Sequence, residues 1–126
     1  MKPGHSGILR IVKATGYSVQ GFAAAWRFEA AFRQEVLLFA VLTALACWLP
    51  VTLLERIVLV SCLFVVLITE LLNSAIEVVV DRIGCEHHEL SGRAKDIGSA
   101  AVFVSLALTV TVWSMVVVNL VLTRFQ

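Results

Sequence analysis

The chain has 126 residues, of which 60% are hydrophobic and 15% are charged, and its mean hydropathy is +0.93. Soluble domains are about half apolar and about a quarter charged, so this composition excludes an ordinary soluble domain and indicates an integral membrane protein. The formal net charge of +1 gives no indication of nucleic-acid binding.

The first predicted element is an amphipathic helix over residues 7–27. At a spacing of three or four residues, one face of this helix carries Ile8, Val12, Thr15, Val19, Phe22 and Trp26. Because Arg10 and Lys13 fall on another face, we expect the helix to lie along the cytoplasmic leaflet with its basic groups toward lipid phosphates. Gly16 and Gly21 weaken the helix and favour a break in it. The pattern fits either a simple anchor or a lid beside an active site.

Three apolar stretches follow, and they predict transmembrane helices over about residues 30–49, 54–82 and 92–123. Each stretch is long enough to cross a bilayer, which takes about 20 apolar residues. The first ends near Pro50, because proline breaks a helix and suits a turn. Ser91 is the expected N-cap of the third helix.

The basic residues predict the orientation of these helices. Of the ten lysines and arginines, only Arg56 and Arg124 fall on one side of the predicted membrane. The other side carries Lys2, Arg10, Lys13, Arg27, Arg33, Arg82, Arg93 and Lys95. Because cytoplasmic segments carry the excess of Lys and Arg, we expect the N-terminus and the 81–96 loop to be cytoplasmic. Residues 1–27 lack the compact apolar core of a signal peptide, so we expect no cleavage there.

The three cysteines, Cys47, Cys62 and Cys85, are odd in number and have no CxxC spacing. Two of them lie in apolar spans. We interpret them as core-filling or lipid-facing thiols, and we expect neither a disulfide framework nor a zinc site.

Glu70 and Glu77 are the only charged residues in the apolar stretch 57–80. A carboxylate in hydrocarbon costs at least about 2.5 kcal/mol, so two of them in one span need an offsetting role. On a helix they project from nearly the same face, about 10 Å apart along the axis. Asn73 lies between them, about 60° off that line, and Ser74 is adjacent. This spacing predicts a polar stripe of two carboxylates and an amide.

The stripe has a catalytic and a structural interpretation. One carboxylate at the lipid boundary can accept a proton from a lipid hydroxyl, while another nearer water can hold a hydrated cation. Magnesium prefers one or two carboxylates together with water and phosphate oxygens, and Glu29 is a plausible second ligand from another helix. The structural alternative is that Glu70 is protonated, or hydrogen-bonded to a polar group of a neighbouring helix.

The 81–96 loop, DRIGCEHHELSGRAKD, is short and dense in polar groups. It has neither GxxxxGK[ST] nor GxGxxG, so a nucleotide site here would have to use scattered side chains. His87 and His88 diverge on a helix, and on sequence alone solvated loop histidines are the simpler interpretation. Lys95 either reaches phosphate oxygens as a point charge or anchors the helix by snorkelling.

Several motifs give this chain a family resemblance. They are ELLNSAIEVVVD (70–81), DRIG (81–84), HELSGRAKD (88–96) and GSAAV (98–102), with AAW (24–26), EAAFRQE (29–35) and ACWL (46–49) upstream. With these motifs the chain resembles the prokaryotic membrane diacylglycerol kinase family, most closely its Gram-negative type. The resemblance covers nearly the whole chain, so residues 1–126 are expected to form a single membrane kinase domain.

The resemblance implies an all-α integral membrane protein, with three transmembrane helices and an N-terminal amphipathic surface helix, assembled as a homotrimer. It implies a multi-pass protein of the bacterial inner membrane, whose active sites form between protomers at the cytoplasmic interface. The implied reaction transfers the γ-phosphate of ATP to the free hydroxyl of 1,2-diacylglycerol, with Mg²⁺ as cofactor, and gives phosphatidic acid. The implied partners are ATP and the membrane lipid.

The resemblance also implies roles for individual residues. It makes Glu70 the general base, supported by Asn73, and Glu29 and Glu77 the ligands of the divalent cation. The implied nucleotide side comprises Arg10, Tyr17, Glu29, Glu77, Glu86, His87, His88, Lys95 and Asp96. The implied lipid side comprises Arg10, Ala14, Thr15, Gly16, Tyr17, Ser18, Val19, Ala23, Ala24, Ala25, Trp26, Ala31, Phe32, Arg33, Gln34, Glu35, Trp48, Arg56, Glu70, Ser99 and Trp113.

The chain departs from the family pattern at three positions. His87 replaces a tyrosine, Cys85 a serine and Val19 a tryptophan. None of these changes removes a carboxylate, so the implied chemistry is unchanged. The nucleotide contact at position 87 and the lipid contact at position 19 are expected to differ.

Three other functions compete with this interpretation. Gram-positive relatives with a similar 70–96 region phosphorylate undecaprenol, so an undecaprenol kinase is the nearest alternative. A small proton- or cation-coupled transporter would use the stripe as a relay, but it needs carboxylates that reach across the bilayer. A purely structural helix bundle is disfavoured by the polar density of the 81–96 loop.

Overall fold

The computed structural model describes residues 6–126, and Lys2 of the predicted cytoplasmic charge lies outside the described residues. Four helices make up the fold: α1 (Gly7–Phe28), α2 (Ala30–Trp48), α3 (Leu53–Ile83) and α4 (Glu89–Arg124). No strand occurs between residues 6 and 126. The last three helices are long and apolar enough to cross a membrane, which confirms the predicted all-α membrane class.

Two details of the helices differ from the prediction, the start of α4 and the continuity of α1. The helix α4 begins at Glu89, and its N-cap is His88, whose Nδ1 accepts a hydrogen bond from the Leu90 N–H at 3.1 Å. Ser91 therefore lies inside the helix, and its predicted role as N-cap is wrong. The helix α1 is also continuous through Gly16 and Gly21. A helical glycine costs only about 1 kcal/mol, so two of them weaken a helix without breaking it.

The junction between α1 and α2 is a single extended residue, Glu29, with φ −116° and ψ 104°. Arg33 closes this junction, because its Nη1 donates to the carbonyl oxygens of Trp26 at 2.7 Å and Arg27 at 3.4 Å. A cation at these free carbonyls also compensates the negative end of the α1 dipole. Ala25 is the one buried residue of α1, so this helix is attached mainly through its C-terminal end.

A second arginine closes the turn between α2 and α3. Arg56 donates from Nε to the Ala46 oxygen at 2.9 Å and from Nη2 to the Leu49 oxygen at 3.1 Å. The turn contains Pro50, as predicted, and α3 then starts from the N-cap Thr52, whose hydroxyl oxygen accepts from the Glu55 N–H at 3.1 Å. Both ends of α2 are thus held by arginine side chains that bind backbone carbonyls.

The central helix is α3, which packs between α2 and α4. On the α2 side, the rings of Phe39 and Phe64 meet edge to face, with centroids 4.9 Å apart. On the α4 side, polar groups bridge the helices at three levels. The hydroxyls of Thr69 and Ser105 lie 2.9 Å apart, Thr109 Oγ1 donates to the Cys62 oxygen at 3.5 Å, and Trp113 Nε1 donates to the Leu59 oxygen at 3.2 Å.

Most large apolar side chains of the outer helices remain exposed in the single chain. Leu37 and Val41 of α2 and Phe103, Val104 and Val110 of α4 are examples. Apolar surface of this extent is expected where a bilayer or further protein covers the helices. All three cysteines are free thiols, with Cys62 buried and the other two exposed.

The hydrogen bond between Thr69 and Ser105 can be measured by a double-mutant cycle. Interhelical hydrogen bonds in membrane proteins are worth about 0.6 kcal/mol on average and about 1.7 kcal/mol at most. We therefore expect Thr69→Val and Ser105→Ala to be coupled by about 0.5–1.5 kcal/mol in unfolding experiments in detergent micelles. As a control, Thr111→Val should show no coupling to Ser105→Ala, because the exposed Thr111 hydroxyl bonds the Ala107 oxygen of its own helix. Zero coupling in both cycles would contradict the bridge.

Candidate active site

The carboxylate stripe lies on one continuous helix, α3, as its spacing predicts. Glu70 is buried, with 5% of its surface exposed, while Glu77 and Asn73 are half-buried. Asn73 Nδ2 donates to Glu77 Oε1 at 3.4 Å, so the amide orients the second carboxylate. The buried Glu70 therefore lies about one turn from the amide of Asn73. It lies about two turns from Glu77, which is nearer the C-terminal end of α3.

Three further carboxylates act electrostatically on Glu70. They are Glu29, Glu35 and Glu77. Glu29 occupies the junction of α1 and α2 and Glu35 the second turn of α2, so two helices bring acids toward the buried acid of α3. Like charges repel strongly where water is scarce, and the arrangement therefore favours a bound cation at this end of the bundle.

The donors fit a magnesium ion that shares its ligands with phosphate. Within residues 6–126, no three His, Cys, Asp or Glu side chains come together as a closed metal site. Magnesium does not need one, because it commonly binds through one or two carboxylates together with water and substrate phosphates. Glu29 and Glu77 are both half-buried and could serve.

The amide oxygen of Asn73 marks the closest approach of α4 to α3. Gly98 is buried on α4, and a Cβ at this position would overlap Asn73 Oδ1 and contact Ile76 Cδ1 at 3.5 Å. Only glycine leaves room for the amide here. Asn73 Oδ1 itself is buried and has no hydrogen-bond partner among the described residues. The packing of α4 therefore fixes where the Asn73 side chain lies.

Lys95 is held by an acid that the sequence analysis did not single out. Its Nζ donates to Asp81 Oδ1 at 2.8 Å, and both side chains are largely exposed. An exposed pair of this kind contributes little to stability, about 0–1 kcal/mol. Its effect is to hold the ammonium group at the end of α3 where the carboxylate stripe begins, rather than free for snorkelling.

A groove of about 440 Å³ lies between α1 and α3, beside the stripe. Its α1 wall includes Phe22 and Phe28, its α3 wall includes Ser74 and Val78, and Glu29 lies at its edge. The lining is mainly apolar, which suits a lipid better than a nucleotide.

A second cavity, of about 700 Å³, lies at the turn between α3 and α4. Cys85, Glu86, His88 and Ser91 are among its lining residues. His88 is also the N-cap of α4, so its ring is fixed by the backbone. This cavity is more polar than the groove beside α1 and lies at the same end of the molecule.

The structure brings some of the predicted site residues together and separates others. Arg10, Tyr17, Val19, His87, Asp96 and Ser99 are exposed. Trp48, 79% exposed, is at the opposite end of α2 from Glu29, about 28 Å away along the helix. Arg56 and Trp113 also belong to the far half, since Arg56 binds the end of α2 and Trp113 binds Leu59. The implied lipid residues thus divide between two ends of the bundle.

Sequence reasoning missed three residues at the site. Glu35 was assigned only to the lipid side, although its position in the inner turns of a membrane helix was a signal for a buried acid. Asp81 was one of many loop charges, and no spacing rule pairs it with Lys95. Gly98 had the signal of a glycine inside an apolar helix, which often marks a close approach of two backbones.

Comparison with known proteins gives a consistent result. The family model for prokaryotic diacylglycerol kinase matches residues 16–117. The diacylglycerol kinase of Escherichia coli strain K12 is 55% identical over 108 residues, which cover 86% of this chain and 88% of the relative. That of Pseudomonas aeruginosa strain PAO1 is 50% identical over 116 residues, 92% of this chain and 94% of the relative. That of Helicobacter pylori strain 26695 is 40% identical over 111 residues, 88% and 87% of the two chains.

The contact between Gly98 and Asn73 gives a prediction about stability. Gly98→Ala should destabilise the protein by about 1–3 kcal/mol, because the new methyl group must displace the Asn73 amide or push α4 away from it. Gly92→Ala is the matched control on the same helix, since nothing lies within 4 Å of a Cβ there. It should be neutral or stabilising by up to about 1 kcal/mol, the gain in helix propensity. Unfolding in detergent micelles measures both, and equal effects would contradict the close approach.

Proposed function

The chain belongs to the prokaryotic diacylglycerol kinase family, and from that premise we propose how its residues phosphorylate diacylglycerol. The protein is an ATP-dependent lipid kinase that acts on diacylglycerol. The observation that supports the site is the buried Glu70 on α3, faced by the acids Glu29, Glu35 and Glu77 at one end of a helix bundle. Ionisable side chains within membrane helices are rare, and they commonly mark functional sites.

Glu70 is the general base of this proposal. Its carboxylate accepts the proton of the lipid hydroxyl as the hydroxyl oxygen bonds the γ-phosphorus. The bond between the γ-phosphorus and the bridging oxygen breaks, and ADP leaves with that electron pair. Because the buried site excludes water, Glu70 deprotonates the lipid hydroxyl and not a water molecule. This limits the hydrolysis of ATP. General base catalysis of this kind contributes about 10²–10⁴-fold.

Glu29 and Glu77 are the residues that would hold Mg²⁺. When bound, the ion neutralises the charge of the triphosphate against the surrounding carboxylates. Asn73 keeps Glu77 oriented through its 3.4 Å hydrogen bond, and Gly98 keeps Asn73 in place. The ligands come from two elements, the α1–α2 junction and α3, so binding the ion joins them.

The nucleotide lies, in this proposal, along the polar end of α3 and α4. Lys95 is held by Asp81 within reach of the helix end, and it offsets the charge of the phosphates. Glu86 and His88 line the cavity of about 700 Å³ nearby, which has room for the nucleoside. Arg10, Tyr17, His87 and Asp96 complete the proposed nucleotide side from exposed positions.

The lipid lies in the groove between α1 and α3, with its hydroxyl at Glu70. The apolar face of α1 then covers the lipid, which corresponds to the lid interpretation of the amphipathic helix. Arg56 is 14 residues from Glu70 on the same helix, about 21 Å along the axis, so only the ends of the acyl chains reach that level. Trp48 and Trp113 likewise serve the chains and not the glycerol.

We place the protein in the bacterial inner membrane, with the N-terminus and the α3–α4 turn in the cytoplasm, where ATP is available. The distribution of basic residues supports this orientation. We also propose a homotrimer, since the exposed apolar faces of α2 and α4 offer surface for assembly. A transporter is disfavoured because Glu70 and the three acids around it gather at one end of the helices and form no relay across them.

The function is tested by radiolabelled phosphate transfer from ATP to a panel of lipid alcohols in bilayer-like micelles. The protein should phosphorylate 1,2-diacylglycerol, and Glu70→Gln should lose about 10²–10⁴-fold in kcat because the base is gone. Glu55→Gln is the matched control, the same change at the far end of the same helix, and should keep wild-type activity.

Two outcomes of this assay would contradict the proposal. Preference for undecaprenol over diacylglycerol would replace the substrate with the polyprenol. Wild-type turnover in Glu70→Gln would remove the carboxylate from the base role, whichever lipid is the substrate.

The metal role of Glu77 has its own signature. Glu77→Gln removes one anionic ligand, so the half-saturating Mg²⁺ concentration should rise at least about tenfold, while saturating Mg²⁺ restores part of kcat. The measurement is a magnesium titration at fixed, saturating ATP and lipid. An unchanged titration curve, with Glu55→Gln again as the control, would show that Glu77 does not bind the ion.

A further inference from the structure

Ser74 carries a buried hydroxyl that nothing in the described chain uses. The residue is 7% exposed, and its Oγ has no hydrogen-bond partner between residues 6 and 126. A buried polar group without a partner costs about 1–3 kcal/mol, so such a group calls for an explanation. Ser74 also lines the groove of about 440 Å³ between α1 and α3.

Several other hydroxyls of the bundle behave differently, although Thr43 Oγ1 of α2 is also buried without a partner among the described residues. Ser61 and Thr111 each donate to a backbone oxygen one turn earlier, at 2.6 and 2.8 Å. This internal bond is the usual way for a serine or threonine to satisfy itself inside a membrane helix. The Ser74 hydroxyl does not make it, so its donor and its acceptor are both unused among the described residues.

The position of Ser74 relative to Glu70 narrows the choice of that molecule. The two residues are four apart on α3, and side chains at this spacing are neighbours, with about 5–6 Å between their Cβ atoms. One oxygen atom of a ligand can therefore lie within hydrogen-bond distance of both. An oxygen that gives its proton to the carboxylate of Glu70 still has lone pairs to accept a bond from Ser74.

We propose that Ser74 Oγ donates a hydrogen bond to the hydroxyl oxygen of the acylglycerol substrate and positions it between α1 and Glu70. This inference rests on the proposed function, because it assumes that the lipid hydroxyl is deprotonated by Glu70. Ser74 is then a positioning residue that contacts the substrate. It fixes the direction of the O–H bond toward the base, and it leaves one lone pair of the oxygen free to attack phosphorus.

The test compares two variants of the same shape. Ser74→Thr keeps the hydroxyl and Ser74→Val replaces it with a methyl group, so both place the same volume in the groove. We expect Ser74→Val to show a kcat/KM for diacylglycerol about 3- to 10-fold below that of Ser74→Thr, the effect of one neutral hydrogen bond. The KM for ATP should be the same in both variants.

A substrate analogue separates positioning from a structural role. A 1,2-diacylpropanediol lacks the reacting hydroxyl but keeps both acyl chains, and it should inhibit Ser74→Thr and Ser74→Val with equal Ki. Ser61→Ala is the control for loss of a serine hydroxyl on α3, since that hydroxyl is exposed and bonds its own helix. It should change none of these constants.

Each contrary result has a definite meaning. Equal kcat/KM for diacylglycerol in the threonine and valine variants would overturn the inference and leave the proposed function standing. A Ki that weakens in Ser74→Val, or a loss of assembly in detergent with unchanged lipid constants, would assign the hydroxyl to packing and also overturn it. A wild-type protein that phosphorylates no lipid would overturn the proposed function, and this inference with it.

Discussion

The arrangement of this molecule depends on keeping one carboxylic acid, Glu70, inside a helix that crosses the bilayer. Such burial costs at least about 2.5 kcal/mol, and the surrounding acids add repulsion rather than relief. The fold places Glu29, Glu35 and Glu77 at the same end of the bundle as Glu70. Phosphoryl transfer needs charged groups at the reacting atoms, so the same carboxylates that destabilise the bundle also serve its chemistry.

The rest of the fold divides into a firm part and a loosely attached part. The pair of helices α3 and α4 is joined at several levels, from the packing of Gly98 on Asn73 to the bond of Trp113 to Leu59. These contacts use close backbone approach and hydrogen bonds, the forces that remain when lipid removes the hydrophobic drive between helices. In contrast, α1 buries a single residue, Ala25. The candidate site lies between the two parts.

The features read correctly from sequence are those set by periodicity and hydropathy. The three spans, the helical N-terminal segment and the position of Glu70, Asn73 and Glu77 on one helix follow from the 3.6-residue repeat and the cost of charge in lipid. Contacts between distant residues were not accessible in this way. The pairing of Lys95 with Asp81 depends on how α3 and α4 meet. The N-cap of α4 is His88 and not Ser91, and the sequence could not decide between them because either side chain can cap a helix. The unpartnered state of Ser74 is likewise visible only once its neighbours are known.

The single extended residue at Glu29, where Arg33 closes the junction, affects how a lipid can reach the groove between α1 and α3. Because α1 buries only Ala25, a change in the two backbone torsions of Glu29 would displace this helix about its C-terminal end. Such a displacement would widen the groove that Phe22 and Phe28 line. A lipid with two acyl chains would then enter the groove from the hydrocarbon region of the bilayer without crossing water. Its phosphorylated product would leave by the same route.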